Sequence, residues 1–106
     1  MQKLNPEMLD FYIIDDKQVK PDFPEKAGLV FAGQLEEKTF SSLQRKGIIA
    51  TRFDYYTDFR LDTALIKQIE QIILNKGLQM DTDINSFIQI LDIASNKQSG
   101  LIAYSD

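Results

Sequence analysis

The chain reads as an α+β domain, a mostly antiparallel sheet of about four strands with three helices packed mainly on one face. Three observations predict this. Three segments repeat apolar residues at helical spacing between polar end signals, and four shorter segments are apolar or strictly alternating. At 106 residues with 43% hydrophobic and 26% charged side chains, the chain has the size and composition of one domain, residues 1–106, with a single core.

The first strand is FYIID, Phe11 to Asp15, aromatic and β-branched. Asn5-Pro6 offers an alternative there, a helix opening with Leu4 and Leu9 as its staple. The segment VKPDFPEK holds two of the three prolines and reads as an irregular loop. GLVFAG, Gly28 to Gly33, is the second short strand. The first helix follows over Leu35 to Lys46, with Glu36 and Glu37 in its first turn, Arg45 and Lys46 in its last, and Gly47 beyond. That charge order suits the helix dipole. Its apolar face is thin: Leu35, Phe40 and Leu43.

The longest strand signal is Ile48 to Leu61. From Arg52 it alternates strictly, with Phe53, Tyr55, Thr57, Phe59 and Leu61 on one face and Arg52, Asp54, Tyr56, Asp58 and Arg60 on the other. One face is buried and the other wet, which predicts an antiparallel or edge position. The second helix is the clearest element. Asp62 caps it, Leu65, Ile66, Ile69, Ile72 and Ile73 form its stripe, and Lys76-Gly77 ends it. The third runs from about Asp83 to Asn96 with Ile84, Phe87, Ile88, Leu91 and Ala94 on one stripe. Ile90 and Ile93 widen that stripe past half the circumference, which predicts packing on two sides or a face offered to a partner. GLIAYSD, Gly100 to Asp106, is the closing strand.

Composition excludes several functions. Without Cys there are no disulfides, thiolate metal sites or thiol nucleophiles. Without His there is no Ser-His-Asp or Cys-His site, and no His-ligated zinc or iron. The net charge of −4 lies wholly in residues 54–106, because acids and bases cancel in residues 1–53. A nucleic-acid binder shows the opposite, a basic stripe. The N-terminus lacks the apolar core of a signal peptide, and no segment approaches the ~20 apolar residues of a membrane span, so a cytoplasmic location without membrane contact is expected.

Candidate chemistry fares poorly. Asp81, Asp83, Asn85, Ile88 and Asp92 match places of a calcium loop, but Ser86 stands where a sharp turn needs Gly, and the helical stripe runs straight through. On a strand, Asp54 and Asp58 stand ~13 Å apart along the axis. That is wider than the ~6.5–9.5 Å of an inverting glycosidase, and Arg52 and Arg60 would keep both ionised. No phosphate-binding glycine motif or serine elbow is present. The chain reads as a non-enzyme with no metal and no cofactor.

The polar face of Arg52, Asp54, Tyr56, Asp58 and Arg60 is therefore the candidate partner-binding site. It combines Tyr and Arg, the types enriched at interface hot spots, with carboxylates that would steer a basic partner. It reads equally as a solvated face whose charges discourage edge pairing. RFDYYTDFR running into an amphipathic helix, the second helix INSFIQILDIAS and the closing GLIAYSD resemble small immunity proteins that neutralise bacterial polymorphic toxins. The resemblance covers about the last 55 residues. It implies a cytoplasmic, single-domain, non-enzymatic protein that occludes a toxin's active site or a surface it needs. An acidic inhibitor suits a toxin with a basic active site. Two alternatives stand beside it: a metabolite-binding domain or enzyme with a pocket near Tyr55, Tyr56 and Tyr104, and a structural subunit.

Overall fold

The structure is a computed structural model, and it describes residues 8–105. In chain order the elements are β1 (Leu9–Ile14), β2 (Val30–Leu35), α1 (Glu37–Arg45), β3 (Phe59–Leu61), α2 (Thr63–Lys76), α3 (Thr82–Asn96) and β4 (Gly100–Tyr104). The strands form one antiparallel sheet in the order β2-β1-β4-β3. The expected α+β architecture is thus the observed one. The helical alternative at Asn5-Pro6 lies outside the described residues, whereas Phe11 to Ile14 is strand, as its β-branched and aromatic content predicts; the strand begins earlier, at Leu9, and Asp15 falls just beyond it.

Period-two alternation divides the central strands between two faces. Leu9, Phe11 and Ile13 of β1 and Leu101 and Ala103 of β4 join the main core, together with Phe40, Ile66, Ile69, Ile73, Ile84, Phe87, Leu91 and Ala94 from the three helices. Tyr12, Ile14, Ile102 and Tyr104 point the other way into a smaller cluster. All six residues of β1 and all five of β4 are buried. Such burial on both faces explains their near-continuous apolar sequence.

The second face is covered by the proline-bearing loop. Tyr12 Oη donates to Glu25 Oε1 at 2.7 Å, and Tyr104 Oη donates to the Pro21 carbonyl at 2.6 Å. The Lys20 ammonium lies 5.0 Å from the Tyr104 ring centre. What reads in sequence as an irregular loop is a strap held by two buried phenols. Burial is the first cause that raises both phenols above their ordinary pKa, and for Tyr12 the hydrogen bond to Glu25 adds to it.

Helix ends follow the sequence closely. Asp62 caps α2 by accepting from Leu65 N at 2.8 Å, and Gly77 ends it at φ +66°, a left-handed conformation that costs Gly little. In α3 Asp81 Oδ1 accepts from Asp83 N and Ile84 N, so the would-be calcium loop is a capped helix. Ile90 is buried with the stripe, while Ile93 is 37% exposed. The boundary of α1 differs from expectation. Leu35 is the last residue of β2, where it pairs with Leu9 and is buried.

The other oxygen of Asp81 clasps α1 to α3. Lys46 Nζ lies 2.8 Å from Asp81 Oδ2 and 3.6 Å from Asp83 Oδ2, and Ser42 Oγ donates to Asp83 Oδ2 at 2.8 Å. The hydrogen bond from Lys46 holds the Asp81 carboxyl below its ordinary value, and the same bond holds Lys46 above its own. A depressed acid contributes stability that is present above its unfolded pKa of 3.8 and is lost as pH falls through the folded value. Lys46→Met is therefore expected to flatten the acid limb of a plot of urea midpoint against pH. An acid limb as steep as that of the parent protein would contradict this role for the clasp.

Candidate protein-binding surface

The expected strand over Ile48 to Leu61 is the main correction. Only Phe59–Leu61 is strand, pairing with Leu101–Ala103. Residues 48–58 are a run of turns instead. Phe53 N donates to the Ala50 carbonyl at 3.2 Å, and Thr57 N donates to that of Asp54 at 3.1 Å. Gln44 Nε2, from α1, donates to the carbonyls of Ala50 and Phe53 at 3.1 and 2.8 Å and holds the first turn in place.

The inward and outward sorting nevertheless survives except at Thr57, which is exposed instead of turned inward. Tyr55 is buried and Phe53 and Phe59 are half-buried, while Arg52, Asp54, Tyr56 and Asp58 are exposed. The sorting comes from aromatic packing. Phe40 of α1 lies 5.6 Å from the Tyr55 ring and 6.1 Å from the Phe59 ring, and Phe53 lies 4.9 Å from Phe59. Tight turns pinned by alternate aromatics carry the same period as a strand.

The five candidate residues accordingly do not share one strand face. Arg60 is half-buried and donates to the carbonyls of Gln18, Asp15 and Asp16 at 2.6, 2.9 and 3.4 Å. Asp58 accepts from Ser105 N and Oγ at 2.9 and 3.3 Å and pairs with Lys20 at 3.2 Å. Both tether neighbouring segments to the sheet edge. Charge-assisted bonds to backbone carbonyls are a structural use of arginine, and one that strict alternation does not reveal.

The remaining three gather around a groove of ≈ 410 Å³ between α1 and the turns. Asp54 Oδ1 accepts from Tyr56 N at 2.9 Å, an Asx turn that sets the direction of Tyr56. The Tyr56 ring meets Tyr55 edge to face at 5.2 Å and is still 66% exposed. The Arg52 guanidinium lies 4.7 Å from the Phe53 ring centre. Glu37, Ser41 and Gln44 line the opposite wall. Sequence reasoning missed these three, although their i, i+4, i+7 spacing on the polar side of α1 is a legible signal.

The Tyr55, Tyr56 and Tyr104 pocket does not form. Tyr55 Oη donates to the Leu35 carbonyl at 3.3 Å inside the main core, whereas Tyr104 belongs to the cluster on the opposite face of the sheet. No helix among the described residues is long and apolar enough to cross a membrane. No family model, no curated protein and no solved structure matches this α+β chain.

Proposed function

We propose that this chain works by binding another protein, as a non-enzymatic cytoplasmic inhibitor of the immunity-protein kind that neutralises a bacterial toxin. The observation that carries the reading is Tyr56, an aromatic ring 66% exposed yet fixed by the Asp54 turn and by Tyr55, beside Arg52 at the lip of a groove. Holding a large ring ready in water lowers the ordering cost of association, and Tyr and Arg are the residue types that dominate hot spots. The net charge of −4 and the absence of His and Cys fit a binder of a basic surface better than a catalyst. The resemblance of the C-terminal half to immunity proteins supplies the partner class.

The test is a pull-down from the native host followed by binding kinetics. Tyr56→Ala is expected to weaken the recovered complex by about 2 kcal/mol, roughly thirtyfold, with little change in stability. Arg60→Met is expected to act the other way, lowering stability more than affinity, since its donors are used within the fold. Normal binding by Tyr56→Ala would move the interface elsewhere. Failure to recover any protein partner would overturn the reading.

A further inference from the structure

The three helices end in the same way. The backbone N–H groups of Ile48, Leu78 and Ser99 donate back to the carbonyls of Leu43, Ile73 and Ala94 at 2.9, 3.1 and 3.0 Å, and the residue before each is left-handed. At the first two ends that residue is glycine, Gly47 at φ +76° and Gly77 at φ +66°. At the third it is Gln98 at φ +52°, the one non-glycine residue at positive φ among the described residues. A side chain costs more than glycine there, so its presence points to a use for the amide. Gln98 lines a cavity of ≈ 450 Å³ between the start of α2 and the end of α3, with buried Ile66 in its wall. Lys67 and Glu70 line the same cavity one helical turn apart, a spacing at which opposite charges ordinarily meet. Here they do not. Ser95 Oγ donates to the Glu70 carboxylate, 3.2 and 3.1 Å from its two oxygens, and Lys67 makes no ion pair among the described residues.

We propose that this cavity binds a free α-amino acid, with its carboxylate on Lys67, its ammonium on Glu70, and the Gln98 amide and Ser99 as further hydrogen-bonding partners. The volume falls within the ~300–1,000 Å³ of small-molecule sites. The two opposite charges select the class of ligand. A purely anionic ligand would meet Glu70, and also Asp16, whose carboxylate accepts from Thr63 Oγ1 at 2.6 Å beside the cavity. A purely cationic ligand would meet Lys67. A peptide terminus carries only one of the two charges, whereas a free amino acid carries both a short distance apart. Such a ligand completes the charge pairing that Lys67 and Glu70 leave unmade, and each contact is a charge-assisted hydrogen bond. The cavity shares no lining residue with the Tyr56 groove, so this site goes beyond the protein-binding reading and does not depend on it.

Amide NMR of the full chain, titrated with each common L-amino acid in turn to millimolar concentration, tests the proposal. The expected result is saturable shifts with at least one of them, centred on Lys67, Glu70, Ser95, Gln98 and Ser99. The methyl ester and the N-acetyl form of that amino acid are each expected to bind about tenfold more weakly or worse, since each removes one charge. Lys67→Met is expected to weaken binding to a similar degree without loss of fold, because Lys67 is exposed. Gln98→Gly separates ligand binding from stability. Glycine suits the left-handed turn, so this variant is expected to melt close to the parent temperature while its affinity falls. A panel that leaves these amides unmoved overturns the proposal. So does binding indifferent to both the ester and the N-acetyl change, binding that keeps its strength in both Lys67→Met and Gln98→Gly, or shifts centred outside this cavity.

Discussion

Phe87→Ala is expected to destabilise the fold by about 3–5 kcal/mol, the loss seen when a fully buried aromatic becomes a cavity. Phe87 has no exposed surface and stands at the point where α3 meets the sheet, its ring 6.0 Å from that of Phe11 in β1. Phe11 in turn meets Phe59 of β3 edge to face at 6.1 Å. Removing Phe87 therefore takes contacts from both the helix and the central strand, and Ile84 and Leu91, on the same stripe, are themselves fully buried. Urea denaturation gives the measurement. A loss under about 1 kcal/mol would place Phe87 in a site that collapses freely and would contradict the packing described.

Gly33→Ala is expected to cost about 1–3 kcal/mol, a large effect for one methyl group. In β2 Phe11 pairs with Gly33 and Tyr12 with Phe31, so Ala32 is the extra residue of a bulge. The bulge places Gly33 at φ +149° directly over α3, where an added Cβ would meet Ile90 Cγ1 at 2.7 Å. Both the backbone conformation and the close approach require glycine. The two causes separate in a double-mutant cycle. If overlap with Ile90 dominates, Gly33→Ala combined with Ile90→Ala should cost clearly less than the sum of the single changes. Additivity within about 0.5 kcal/mol would assign the effect to the backbone alone.

Much of this fold was legible in sequence because local chemistry and global position agree. Asp62 and Gly77 bound α2, Asp81 opens α3, and FYII and GLIAY are strand, all through signals spanning a few residues. The candidate site was legible only in part. Alternation correctly sorted Tyr55 inward and Arg52, Asp54 and Tyr56 outward, since the period of a buried aromatic row is a property of the sequence. It could not distinguish a strand from turns. That choice depends on Gln44 reaching the Ala50 and Phe53 carbonyls from α1.

By itself, then, the sequence determined the α+β class, the helix boundaries to within a residue or two, the in-or-out sense of most apolar side chains, and the lack of thiol and imidazole chemistry. Tertiary structure alone decided that the proline-bearing loop covers the second face of the sheet. It also decided that Asp58 and Arg60 are tethers while Tyr56 stands exposed at a groove, and that β2 and β3 are the edge strands of the sheet. The reason is the range of the forces involved. Capping, turn formation and hydrophobic periodicity act over a few residues, whereas Arg60 finds its carbonyls more than 40 residues away and strand order follows from loop closures across the whole chain.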